Sequence, residues 1–202
     1  MSDTFEVAGL TVRIEQDTDA ESPRDWDNLG TMICWHRNYI LGDRKRGESM
    51  PFDSPSEFQE WVDSKESDVA LCLPLYLYDH SGITMSCSPF SCPWDSGQVG
   101  YIYITREKIR KEYSAKRISK KLLERVRGYL VGEVKTYDMF LTGDVYGYTV
   151  EDSEGETVDS CWGFFGMDTV KEEATSAAKC CAESIAKREA EVSQLLNTGF
   201  AL

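Results

Sequence analysis

His36 and His80 are the two imidazoles of the chain, so imidazole-based acid–base or metal chemistry must be built around one of them. His80 sits in Asp79-His80-Ser81, followed by Gly82. A triad needs a nucleophile on one imidazole nitrogen and a carboxylate on the other, and three consecutive turn residues do not normally supply that geometry. The bland reading is a turn in which Asp79 accepts backbone hydrogen bonds and Gly82 supplies a positive φ. The partners that fit a catalytic His80 lie further along, Asp95 or Ser96 in the loop SPFSCPWDSG, or Cys87. A small enzyme using His80 and Asp95 is the catalytic alternative. Around His36, Cys34 stands two residues away and on a strand would face the same side, which with Cys87 and Cys92 makes an imaginable zinc set. No paired CxxC or HxxxH completes it, so the expectation is no metal and a buried thiol beside a partly buried imidazole. GxSxG, HExxH, P-loop and dinucleotide fingerprints are absent, and no cofactor is expected.

The segment from Ser88 to Gly97 points instead to binding. Pro89 and Pro93 restrict its backbone, Gly97 relaxes it, and Phe90 and Trp94 bring large apolar surfaces. A loop held this way can present Trp94 and Asp95 to a partner as an aromatic anchor with a charge beside it. The clusters CWH at 34–36 and CWGFFG at 161–166 read as core packing.

Charge supplies the second clue. The chain carries 22 basic and 35 acidic residues, net −13, an average field that repels nucleic acid and disfavours binding it directly. The distribution is uneven. Residues 1–105 are net −11, 106–127 are net +7 with ten basic and three acidic groups, and 128–202 are net −9. The basic segment supports an alternative in which a helix over 106–127 binds nucleic acid; its plainer reading is a solvated helix facing the acidic remainder. The acidic surface, with Asp17, Asp19 and Glu21 in one exposed stretch, can imitate phosphates and occupy the basic groove of a nucleic-acid-binding protein.

The elements that must position these residues follow from periodicity. Leu10, Val12 and Ile14 alternate as on a half-buried strand, and 17–28 reads as a solvent-exposed loop. Thr31 to His36 forms a second strand. Ser54 caps a short helix, with Pro55 in its first turn and Glu57 three residues after the cap. Val69–Tyr78, with leucines 71, 73, 75 and 77 on one face and Pro74 marking an edge or bulge, leads a three-stranded meander through 83–86 and 98–105. Thr105 caps a helix extending to about 140, in which Gly128 and Gly132 weaken the case for an unbroken rod. A hairpin spans 145–150 and 157–165. A long helix follows over 168–196, with Val170, Ala177, Cys181, Ile185, Val192 and Leu196 near one side. The whole predicts a single α+β domain over 1–202, a mainly antiparallel sheet with amphipathic helices packed on it.

The start of the chain lacks the basic-then-apolar order of a signal peptide, and no run of about 18 apolar residues occurs. Seven cysteines at irregular spacings fit free thiols in a reducing compartment. A cytoplasmic protein is expected, with no membrane association. DNLGTMICWHR (27–37), PLYLYDHSG (74–82), FSCPWDSGQVGYIYIT (90–105), FLTGDVYGY (140–148) and VDSCWGFFG (158–166) together resemble a family of small acidic proteins that recurs in bacteriophage and mobile-element genomes. SCPWDSG is the most specific piece. The resemblance implies an accessory role inside a bacterial host cell and brings no catalytic residues with it. The functional expectation is macromolecular binding without chemistry: an acidic, nucleic-acid-mimicking inhibitor of a host restriction or CRISPR effector, using the Trp94 and Asp95 loop together with Asp17, Asp19 and Glu21.

Overall fold

The computed structural model describes residues 3–199. It is α+β with two antiparallel four-stranded sheets, and the chain divides into two compact units, Glu21–Thr142 and Met1–Ala20 with Gly143–Leu202. Where the sequence pattern suggests one domain over 1–202, each unit has its own sheet and its own core. Among the described residues no helix is long and apolar enough to cross a membrane.

The central unit contains β3 (Thr31–Cys34), α1 (Pro55–Asp63), β4 (Val69–Asp79), β5 (Ile83–Ser86), β6 (Ser96–Thr105), α2 (Arg106–Glu112) and α3 (Lys120–Thr142). Its strand order is β3-β6-β4-β5. The expected meander is corrected here: β6 does not pair with β5 but returns to the other side of β4. Pro74 fits its place, because β5 pairs only with Tyr76–Asp79 and leaves one flank of β4 open at Pro74. The alternation of β4 and β6 gives the sheet two apolar faces. Leu73, Leu75, Leu77, Ile102 and Ile104 join Val126, Leu130 and Val134 of α3 in the core. The opposite face carries Tyr101 and Tyr103 against the fully buried Phe58 of α1, at ring separations of 5.0 and 5.3 Å.

Local signals set the helix ends. The Ser54 hydroxyl accepts from the Glu57 N–H at 3.2 Å, while the Glu57 carboxylate accepts from the Asp53 N–H at 2.6 Å. The Thr105 hydroxyl accepts from the Lys108 N–H at 3.2 Å. The single helix expected over 106–140 is two helices, broken at 113–119 where Ser114 adopts φ 47°. Gly128 and Gly132 do not interrupt α3. The expectation that 17–28 is wholly exposed is also corrected: a 3-10 turn at Pro23–Asp25 buries Arg24.

The other unit is built from both ends of its sequence: β1 (Asp3–Val7), β2 (Leu10–Gln16), β7 (Val145–Glu151), β8 (Thr157–Phe165) and α4 (Met167–Gly199), in strand order β1-β2-β7-β8. Ala8 and Gly9, both at positive φ, close the β1–β2 hairpin with the twist that two-residue turns require. Leu10, Val12, Ile14, Tyr148 and Val150 pack under Val170, Ala174 and Ala178 of α4. The helix stripe read from the sequence is thus shifted. Ala177, Cys181 and Ile185 are at its margin, Val192 is exposed, and the side chain of Leu196 lies outside the described residues.

Candidate interaction site

Antiparallel pairing of β4 with both neighbours brings the Asp79–Gly82 turn and the start of β6 together. The Asp79 N–H donates to the Asp95 carbonyl at 2.8 Å, and the turn closes through His80 N–H on the Gly82 carbonyl at 3.0 Å. Ser81 at φ 58° and Gly82 at φ 149° share the positive-φ positions. Asp79 does not serve the turn as an acceptor in the expected way: its carboxylate accepts from the Tyr39 hydroxyl at 3.3 Å. That carboxylate raises the Tyr39 pKa, so the phenol keeps the proton it donates.

His80 and Asp95, 15 positions apart, do meet: Nδ1 lies 3.3 Å from Oδ2. The same Oδ2 accepts from the Cys92 thiol at 3.7 Å, and the Ser96 hydroxyl donates to the Cys92 carbonyl. The carboxylate therefore stands between thiol and imidazole. A nucleophile activated by a base needs the thiol or hydroxyl on the imidazole itself, with the carboxylate behind it. Here Asp95 is the hub. It fixes the loop by taking a thiol on one side and an imidazole on the other, and Phe90 adds a ring contact to Tyr78 at 5.8 Å.

At the apex of this tied loop Trp94 is 92% exposed, the most exposed of the large apolar side chains described. His80 and Asp95 remain partly open beside it. A side chain of this size gains nothing from water. Its exposure on a loop held through Phe90, Cys92, Asp95 and Ser96 is what a contact anchor requires.

The remaining site residues read from the sequence are distributed differently. Cys34 is buried at the end of β3, whereas His36 lies past the strand, its Nδ1 accepting from the N–H groups of Asn38 and Tyr39 at 3.2 and 3.3 Å. The same-face arrangement imagined for the pair is not formed. Among the described residues no group of three or more His, Cys, Asp or Glu is placed to hold a metal. Asp17 and Asp19 belong to one unit and Glu21 to the other. Asp17 uses one oxygen to accept from the Asp19 N–H at 3.1 Å, a local turn contact, while Asp19 and Glu21 are exposed. Trp35 packs as core, its ring 6.0 Å from Phe58, but Trp162 is half exposed, correcting the core reading of CWGFFG.

One buried ionic network escaped the sequence reading. The Arg24 guanidinium meets Asp43 at 2.7 Å, Glu133 at 3.0 Å and the Gly30 carbonyl at 2.9 Å. Glu133 also accepts from the Leu29 and Gly30 N–H groups. Nothing near Arg24 in the sequence marks its partners. No protein-family model, curated protein or solved structure matches the chain.

Proposed function

We propose that the protein is a phage or mobile-element accessory factor that acts by binding a host macromolecule, with Trp94 as the anchor and Asp95 beside it. The observation that carries this reading is the 92% exposure of Trp94 at the tip of a loop fixed through Asp95, His80, Cys92 and Ser96. A preorganised loop loses little conformational freedom on binding, so a single buried indole contributes a large share of the affinity. The acidic character supports the class of partner. Residues 1–20 and 143–202 carry 17 acidic and 5 basic groups, net −12, a surface suited to a nucleic-acid-binding defence effector whose groove accepts phosphates.

The second reading is catalysis at His80 and Asp95, favoured by their 3.3 Å contact. Affinity capture from bacterial lysate with wild-type protein and Trp94→Ala side by side, followed by mass spectrometry, separates the two. A nuclease or helicase subunit held by the wild type and lost by Trp94→Ala supports binding. Retention of the same partner by both proteins refutes the anchor role.

A further inference from the structure

Because residues 1–20 and 143–202 are net −12, the unit Glu21–Thr142 is net −1 although it contains the +7 segment 106–127. Nine of the ten basic residues of that segment are exposed. Among the described residues only Arg106 pairs with a carboxylate, Asp68, and at 3.9 Å. Lys108 instead donates to the Asn28 carbonyl at 2.6 Å. The basic segment is thus solvated, as its sequence also allowed, but among the described residues close carboxylate partners are limited to Asp68 on Arg106.

The break at 113–119 gives these charges a shape. By turning the chain between α2 and α3 it folds Lys116 and Arg117 back beside Arg106 and Arg110, and the four cations line a cavity of about 380 Å³ with Ile118 and Leu123 among its apolar walls. No acidic residue lines it. Arg106 has only the distant Asp68 contact, and Arg110, Lys116 and Arg117 have no ion pair among the described residues. Like charges converging on one cavity therefore repel each other, and an anion that enters relieves that repulsion while accepting several charge-assisted hydrogen bonds. The apolar walls suit a ligand that carries an anion on an uncharged body. Exposed Lys111, Lys120 and Lys121 extend the positive surface beyond the cavity. A ligand with phosphates in series uses all of these; an isolated anion uses only the cavity.

We propose that this cavity binds a phosphate of a nucleic-acid strand, with Arg106, Arg110, Lys116 and Arg117 as the phosphate contacts and the neighbouring lysines following the backbone. Screening over roughly 8 Å at physiological salt limits how far the acidic remainder of the chain acts on this cavity. The site is separate from the Trp94 loop, and neither requires the other.

The test is fluorescence anisotropy with a labelled single-stranded DNA of about 20 nucleotides, the same DNA as a duplex, and an unlabelled polyglutamate competitor. One phosphate in the cavity and one at each of Lys111, Lys120 and Lys121 make four on a single strand and predict a slope of log affinity against log salt near roughly −3. Arg110→Ala with Arg117→Ala is expected to weaken binding about tenfold or more and, by loosening the cavity phosphate, to reduce that slope by up to about 0.7. Lys116→Glu, in the connecting segment, is expected to act in the same direction, and far-UV circular dichroism verifies that each variant is folded. A preference for either the single strand or the duplex identifies the form bound. Absence of binding to both, unchanged affinity in the folded variants, displacement by millimolar inorganic phosphate alone, or preferential binding of polyglutamate overturns the proposal.

Discussion

Arg24 and Glu133 are 109 positions apart in sequence, and their side chains meet at 3.0 Å with the guanidinium only 3% exposed. Burial by itself lowers the pKa of such a group, but contact with Asp43 and Glu133 outweighs it and raises the value. The pair joins the turn before β3 to the middle of α3; the Glu133 carboxylate also accepts from the N–H groups of Leu29 and Gly30, and Asp43 accepts from that of Met32. Arg24→Ala leaves two carboxylates without their cation and is expected to destabilise the fold by about 3 kcal/mol or more. Glu133→Gln keeps an acceptor oxygen and should cost less. Urea unfolding measures both, and equal stability of Arg24→Ala and wild type contradicts the assignment.

Tyr137 gives the fold an alkaline limit. Its phenol is buried, accepts from the Gly42 N–H at 3.1 Å, and is pushed up to about 12, chiefly by burial. The folded state thus holds this proton more tightly than the unfolded chain, whose tyrosines ionise near 10. The contribution is complete below about pH 10 and is lost as pH rises toward 12. Tyr148 in the other unit is pushed up to about 12 and has the same sign. Tyr137→Phe should therefore reduce the loss of stability between these pH values without abolishing it. Near neutrality the variant is expected to cost about 1 kcal/mol, since the Gly42 N–H loses its acceptor. Chemical denaturation at pH 7, 10 and 11 checks both halves.

What was legible in the sequence was local. The leucine alternation of β4, the Ser54 and Thr105 caps and the β7–β8 hairpin each rest on residues within a few positions of one another. Residue type made Asp95 readable as a candidate partner of His80, although their contact depends on β6 lying beside β4. The pairing of β6 with β4 was not, since periodicity fixes the face a residue occupies and not the strand beside it. Arg24 looked like part of an acidic loop because a buried charge is recognised by its partner, and Glu133 lies on a helix far along the chain. The division into two units was hidden for the same reason: β2 pairs with β7, and 128 residues separate Gln16 from Val145.

Two glycines test how tightly the sheets are built. A Cβ on Gly100 would lie 2.0 Å from the Ile33 carbonyl oxygen, a backbone atom that moves only if β3 leaves β6. On Gly147 it would meet the Trp162 ring at 2.2 Å, but that ring is half exposed and can swing away. Gly100→Ala is expected to destabilise by about 3 kcal/mol or more, and Gly147→Ala by about 1 kcal/mol. Thermal melts of the two variants rank them, and the reverse order refutes the steric argument.

The thiols should separate by environment. Burial pushes Cys34 and Cys72 up to about 12, whereas Cys161 and Cys180 are exposed. Since the thiolate is the reacting species, iodoacetamide at pH 8 should label Cys161 and Cys180 first and Cys34 only after unfolding. Denaturing, non-reducing alkylation should reach seven thiols per chain. Peptide mass spectrometry over time resolves the order, and early labelling of Cys34 contradicts its buried position.

Trp94 and His80 are adjacent in the fold, so they provide the sharpest discrimination between binding and chemistry. Trp94, at 92% exposure, contributes little to the folded state, and Trp94→Ala should change stability by less than about 0.5 kcal/mol. If its indole is the anchor, the same substitution costs roughly 2 kcal/mol or more of partner binding, a loss of about 30-fold. His80→Ala removes one of the two side-chain contacts on the Asp95 carboxylate, with the Cys92 thiol and the Asp79 N–H on the Asp95 carbonyl left in place, and should reduce binding only modestly. Charge reversal at Asp17, Asp19 and Glu21 should weaken association and flatten its salt dependence if the acidic stretch also touches the partner. The Asp17 reversal disturbs the turn contact to the Asp19 N–H as well, so the Asp19 and Glu21 reversals carry the electrostatic comparison. Calorimetry against the captured partner measures each term. If folded His80→Ala abolishes the biological effect while Trp94→Ala and the reversals leave it intact, catalysis at His80 and Asp95 replaces binding as the function of this loop.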